Sequence, residues 1–290
     1  MKQTIKCVYC KKSHYVKNGV RKTKNRGRIQ KYICLECGKN FTNDDGFYRM
    51  RNSENIITMS IDMYLSNLSS RKMRNQLKRH LATKISHVSV LDWVRKYVKK
   101  VSKYLDNFKP QLNGKIYADE TEIQRGRQND VFWCSVDWDT RYINATFYSP
   151  NPQNMIDAKT FLKRIKDSKE KPEFIQTDGL HQYNKAFKTV FSYHKTKNND
   201  VRHIVNNAYR TGKHNVRIET VFSKIKDRVY DFRGLKALWS AEILLSGIVL
   251  QHNFIENHTT TGQLPCKLAG INLETGVNRW LGLINLACNV

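Results

Sequence analysis

The spacing of hydrophobic and polar positions changes character along the chain. Over residues 53–105 apolar side chains recur at three- and four-residue steps, as in Ile57, Ile61, Tyr64, Leu65 and Leu68, which predicts helices. Two of these, residues 69–80 and 86–98, are joined by a turn around 82–85. Ser86 is placed to cap the second, which carries Val90, Val94 and Tyr97 on one face with Trp93 and Val101 close by. From residue 111 the pattern alternates between strand-like and helix-like stretches. β-Branched and aromatic residues predict a strand over 115–124 and two strands within 131–149 that turn near 137–141. A helix over 155–166, a short buried strand over 173–177, a helix from 180 to about 191 and a strand near 201–205 follow. A helix from about 214 to 230 then has Ile218, Phe222, Ile225 and Val229 as its core stripe. Strands first and then helix alternating with strand argues for an α/β fold, a mixed sheet flanked by helices. The longest apolar run, residues 235–250, is 16 residues long and contains Lys236 and Glu242. A membrane span needs about 20 apolar residues, so a buried helix is expected there and no membrane partner.

Pro110 and Gly114 mark a linker around 107–114. The expected organisation is therefore a small cysteine-bearing module over 1–45, a helical region over 46–108, and an α/β domain with a C-terminal helix and tail over 109–290. Charge is distributed unevenly across it. Of the net +26, residues 1–100 carry 24 Lys and Arg against 6 Asp and Glu, or +18, and residues 101–290 carry 27 against 19, or +8. So basic a front third points to a polyanionic partner, nucleic acid by default; a solubilising surface stays open on charge alone. Residues 1–30 are basic and polar with no apolar stretch of the signal-peptide kind, and a cytoplasmic setting is expected.

In that setting the cysteines read as thiols. Cys7-Val-Tyr-Cys10 and Cys34-Leu-Glu-Cys37 are two knuckles separated by 23 residues. Each CxxC brings two thiolates to one edge of a tetrahedron, and the two pairs complete a four-thiolate site for one structural Zn2+. A basic hairpin over 21–31 accounts for the long separation. The segment offers almost no apolar core and needs such a staple to fold. Behind it, the second helix of the 69–98 pair sets Arg95, Lys96, Lys99 and Lys100 on the face opposite its apolar one. That suits a helix-turn-helix entering a DNA major groove, with an ordinary helical bundle as the alternative.

Three acids stand in unusual contexts. Asp119 interrupts the apolar strand Ile116-Tyr117-Ala118-Asp119-Glu120-Thr121, where an unpaired carboxylate costs several kcal/mol and so has a cation or a task. Asp178 ends the strand Phe174-Ile175-Gln176-Thr177, at the carboxyl edge where α/β sheets build ligand sites. Glu219 lies beside the core stripe of its helix, in the row Asn215, Glu219, Ser223, Lys226. Glu120 and Glu122 point to the other face of the strand and are weaker candidates, and His252 and His258 are expected to pack or hydrogen-bond in the core.

The order strand-Asp, strand-end Asp-Gly, helix-Glu resembles the catalytic core of DDE-type insertion-sequence transposases, of the retroviral-integrase-like superfamily. The phrases that carry it are Tyr117-Ala118-Asp119-Glu120-Thr121, Gln176-Thr177-Asp178-Gly179 and Asn215-Val216-Arg217-Ile218-Glu219 with Lys226 and Arg228. His252-Asn253-Phe254, His258, Pro265 and Ala269-Gly270 resemble the closing motif of such enzymes, and the zinc knuckle and helix-turn-helix match their domain order. The 40 residues between Asp178 and Glu219 exceed the mid-thirties typical of many relatives. The resemblance implies an RNase H-like catalytic core and catalysis by Asp119, Asp178 and Glu219. It also implies two Mg2+ (or Mn2+) ions, with Asp119 bridging both and Asp178 and Glu219 each holding one. Cleavage at the terminal repeats and joining to target DNA would follow, with Asn215, Lys226 and Arg228 on the DNA and at least a dimer assembled there. The rival expectations are an RNase H-like nuclease that cuts without joining and a zinc-ribbon regulator derived from a transposase.

Overall fold

A computed structural model describes residues 5–23, 27–43, 46–48, 50–150, 152, 154–169, 171–178, 180–191, 201–206, 216–231 and 235–288. The chain divides into two compact units: residues 1–63, 73–105 and 274–290 form the first, and residues 64–72 and 106–273 the second.

The first unit opens with three antiparallel strands, β1 (Tyr15–Thr23), β2 (Gly27–Cys34) and β3 (Asn40–Thr42), in the order β1-β2-β3. The basic hairpin predicted over 21–31 matches the end of the β1–β2 ladder, where Arg21, Lys22 and Thr23 pair with Ile29, Arg28 and Gly27. Beyond the cysteines, its core is a small aromatic cluster that the composition hid. Tyr15 and Phe41 both pack on Tyr32, with ring centroids 5.0 and 5.5 Å away. Three helices follow: α1 (Glu54–Leu65), α2 (Ser70–Leu81) and α3 (His87–Leu105). α2 and α3 are the predicted pair. Ser86 Oγ accepts the N–H of Ser89 at 3.0 Å, as a cap should. Val90, Trp93, Val94, Tyr97 and Val101 are buried along α3. The C-terminal helix, residues 279–288, packs on α3 within this unit.

The second unit is built on a five-stranded sheet. Its strands are β4 (Lys115–Arg125), β5 (Gln128–Asp137), β6 (Ile143–Ser149), β7 (Phe174–Thr177) and β8 (Arg202–Val205), in the order β6-β5-β4-β7-β8. β6, β5 and β4 are antiparallel neighbours, whereas β7 and β8 run parallel to β4. The β5–β6 turn is fixed by Asp137, a buried carboxylate that accepts the N–H of Gly114 and both the N–H and hydroxyl of Thr140. On one face, Ile116, Ala118, Trp133 and Ile175 of the sheet pack against α4 (Asn154–Ser168) and α5 (His181–Phe191), including Phe161, Leu162, Tyr183 and Phe187. Strand residues alternate between faces, so Tyr117 and Asp119 belong to the other one, which α6 (Val216–Asp231) covers. α7 (Leu238–Leu250) runs on into a π-helix over Gln251–Ile255, followed by α8 (Pro265–Leu268) and, in the first unit, α9 (Arg279–Cys288). The mixed sheet with helices on both faces is the RNase H-like arrangement. No helix among the described residues is long and apolar enough to cross a membrane.

Candidate active site

Asp119 sits in the central strand, opposite Cys134 of β5. The parallel register pairs Tyr117 with Gln176. Carried two residues further, it sets Asp178, the residue after β7, beside Asp119. Glu219 approaches from the first turn of α6, whose Ile218, Phe222, Ile225 and Val229 are buried as the stripe predicts. The three acids therefore come from three separate elements onto one end of the sheet.

Their electrostatics follow from that convergence. The Asp119 carboxyl is pushed up to about 7, first by burial and then by the charges of Asp178 and Glu219, while the Glu120 N–H it accepts at 2.9 Å and the Lys226 ammonium pull the other way. A carboxylate facing two others in partial burial takes up a proton unless a cation replaces it. Oxygen donors of this kind suit a hard divalent cation better than a soft one. The carboxylate oxygens nonetheless stand apart: among the described residues, the only group of three or more ligand atoms within 4.8 Å of one another is the cysteine cluster. Asp178 is anchored locally, its Oδ1 accepting the Leu180 N–H at 3.0 Å.

The structure also brings in Glu120, which sequence reasoning set aside. Its side chain points into the α5 face, where Oε2 accepts the phenol hydroxyl of the fully buried Tyr183 at 2.6 Å. Burial raises it to about 7 against the pull of that hydrogen bond, and Asp119 and Asp178 add to the rise. The signal was available: Ile116, Ala118 and Glu120 form one period-2 row, so an acid there lies in the core row of the strand.

The remaining candidates separate clearly. Lys226 is exposed on α6 and acts on Asp119. Arg228 is buried and pairs with Glu256 at 3.4 Å. Asn215 lies outside the described residues. His252 is a core residue, as expected: its Nε2–H donates to the Arg141 carbonyl at 2.8 Å, and burial, helped by Lys224 and His258, lowers it to about 4. Asn253 clamps the Ile143 backbone from both sides, with Oδ1 accepting its N–H at 2.9 Å and Nδ2 donating to its carbonyl at 3.0 Å. On α3, Lys96 and Lys99 are exposed, Lys100 is half-buried, and Arg95 pairs with Asp92 at 3.2 Å.

At the other end of the chain Cys7, Cys10, Cys34 and Cys37 converge. The sulfurs of Cys7 and Cys37 are 3.7 Å apart and those of Cys10 and Cys34 3.4 Å. A tetrahedron with Zn–S of about 2.3 Å has an S–S edge of about 3.8 Å, and a disulfide about 2.05 Å, so the spacing fits zinc. The two knuckles are built alike. Lys11 N–H returns to the Cys7 carbonyl and Gly38 N–H to the Cys34 carbonyl, at 2.9 Å each, and both residues take a left-handed backbone, with φ of 62° and 68°. Burial opposes ionisation of Cys7, but the N–H groups of Cys10 and Tyr9 and the neighbouring thiols outweigh it and lower the thiol to about 7. This is a zinc-ribbon arrangement.

Comparison with known proteins locates the same region. A family model described as a DDE domain matches residues 113–258, a segment that contains Asp119, Asp178 and Glu219. Among solved structures, the chain is similar to one from a simian T-cell lymphotropic virus intasome in complex with PP2A regulatory subunit B56 gamma, with 13% identity and a TM-score of 0.38. That alignment covers 56% of this chain and spans 56% of the length of the other. The HTLV-2 integrase catalytic core domain in complex with magnesium matches in its trimeric form with 14% identity and a TM-score of 0.36, and in its dimeric form with 13% and 0.37. Both cover 56% of this chain and 99% of that one. No curated protein sequence matches the chain.

Proposed function

Because the chain belongs to the DDE-domain family of transposases, we propose that it is a DNA transposase that cuts at transposon ends and joins them to target DNA. The observation that carries this is the raised Asp119 carboxyl, confronted by Asp178 and Glu219 from two other elements. In the proposed assignment, Asp119, Asp178 and Glu219 are the residues that would hold the divalent metal. Two divalent ions, Mg2+ or Mn2+, supply a stronger nucleophile and a stabilised leaving oxygen in such reactions. The chain's own residues fix where that happens. β4 and β7 hold the two aspartates side by side, and the buried stripe of α6 holds Glu219 over them. Lys226, exposed beside this centre, grips phosphate oxygen.

DNA is held by the rest of the chain in this reading. Residues 1–45 form a ribbon closed by zinc on Cys7, Cys10, Cys34 and Cys37, and residues 46–108 a helix-turn-helix that presents Arg95, Lys96, Lys99 and Lys100 to the major groove. The catalytic core lies within residues 109–290, whose last helix belongs to the first unit. Two ends must be held together for joining, so the working form on DNA is at least a dimer, acting in the cytoplasm.

The test is strand transfer by purified protein on labelled terminal-repeat DNA with Mg2+. Joined products are expected from the natural protein. Asp119→Ala, Asp178→Ala and Glu219→Ala should each lose at least a thousandfold in rate while still binding DNA. Cleavage without joining would make it a nuclease of the same fold. DNA binding with no metal-dependent cleavage would make it a regulator.

A further inference from the structure

The flank of α6 next to Glu219 borders a cavity of about 170 Å3 that the proposed chemistry does not use. Thr220 and Lys224 line it from α6, Arg141 from the β5–β6 turn, and His258, Thr259 and Thr260 from the loop after the π-helix. Val136 and Val221 supply apolar wall, and among the described residues no carboxylate lines it. Two basic side chains and three hydroxyls around one small space make a site for an anion. Its size narrows the choice. At about 30 Å3 per water it holds a handful of water molecules, and it is below the range of pockets that enclose whole small-molecule ligands. A single tetrahedral oxyanion fits.

The cations are placed differently. Arg141 is held by its own turn: its backbone takes a φ of 62°, its guanidinium lies 5.3 Å from the Trp138 ring centroid, and Nη1 donates to the Trp138 carbonyl. Lys224 makes no ion pair among the described residues and is half-buried at the cavity wall. The position of the cavity argues for what enters it. Thr220 directly follows Glu219, and Val136 pairs with Tyr117, two residues before Asp119. The cavity is therefore next in chain or register to two of the three acids, Glu219 and Asp119, and a polynucleotide held at them has neighbouring phosphates to offer it.

We propose that this cavity receives a backbone phosphodiester of bound DNA, one flanking the phosphate at which strands are cut and joined. The assignment rests on the transposase reading and adds a positioning contact to it: phosphate contacts of this kind set register on the duplex and carry no sequence information.

A set of terminal-repeat duplexes, each with one neutral methylphosphonate linkage, tests it against the full-length protein and its Lys224→Gln variant. With the natural protein, one linkage near the cleavage point should reduce affinity about tenfold when neutralised. With Lys224→Gln that linkage should become indifferent, the non-additivity expected of a direct pair. The slope of log affinity on log salt should also fall by about one. Lys224→Arg should restore the sensitivity. Thr260→Val, on a surface loop, gives the same reading at reduced size if the helix variant folds poorly. If the natural protein binds and cuts DNA but no linkage depends on Lys224 or Thr260, the cavity assignment is wrong and the transposase reading stands. Lys224-dependent stabilisation by inorganic phosphate alone, with no such linkage, would give the cavity to a free anion and also overturn it. A natural protein that neither binds nor cuts the duplex removes the transposase reading and the cavity assignment together.

Discussion

At Asp119 the fold keeps a carboxyl where the charged form is disfavoured, and this gives a signed prediction. With divalent metal chelated, its pKa of about 7 lies above the ordinary 3.8. A native state that binds a proton more tightly than the unfolded chain gains stability that is complete below pH 4 and is lost as pH rises through 7. At pH 8 Asp119→Asn should therefore be the more stable protein, by on the order of 2 kcal/mol once residual solvent contact is allowed for. Added Mg2+ should reverse the order, since a ligand bound only by the native state stabilises it and the variant has lost a donor. Thermal melts at pH 5 and pH 8, with chelator and with Mg2+, check both halves. A wild-type melting temperature indifferent to Mg2+ would count against a metal site at these acids, independently of any activity assay.

Among elements, the π-helix shows what sequence periodicity leaves out. Gln251, His252, Asn253, Phe254 and Ile255 are all buried because protein surrounds this turn on every side, which a one-faced apolar stripe would not predict. Asn253 then reaches Ile143 with both atoms of its amide, pinning the start of β6, the edge strand of the sheet that carries Asp119. Asn253→Ala strands a buried N–H and a buried carbonyl, at a cost of about 2–4 kcal/mol. Urea denaturation should show that loss, with Asn253→Asp recovering less than half of it because a carboxylate cannot donate. Elements whose signal is local were legible. Strands β4 to β8 and helices α2 to α6 lie close to where alternation and apolar spacing put them, and Ser86 caps α3 as read. Long-range pairing was not: the Tyr15–Tyr32–Phe41 cluster and the Glu120–Tyr183 bond join residues whose partners are set by register. The placement of Asp178 beside Asp119 likewise depends on the parallel β4–β7 register, and the acids became a site only when that register was known.

For the whole molecule, the chain order and the physical units differ. The last helix follows the α/β unit in sequence, yet Trp280, only 2% exposed, and Leu283 and Ile284 belong to the core of the first unit. The fit there is close: a Cβ at Gly46 would lie 2.6 Å from Cys288 Sγ and 2.8 Å from Ile284, while Tyr97 donates its hydroxyl to the Gly46 carbonyl at 2.9 Å. Asn278 adds a hydrogen bond to Thr58 at 2.9 Å. A chain of two units need not melt in one step, so a wound in one should be readable separately. Trp280→Ala removes a large buried side chain, a loss of about 3–5 kcal/mol, and places it more than 170 residues from the helices that should feel it. Native-state hydrogen exchange should show the amides of Val94 and Val98 in α3 losing protection while those of Ala118 and Trp133 in the sheet keep theirs. In the proposed function such a protein would bind terminal-repeat DNA more weakly and still hold its three carboxylates in place. Equal loss of protection in α3 and in β4 would mean instead that the units unfold as one, and DNA binding and catalysis would then fail together.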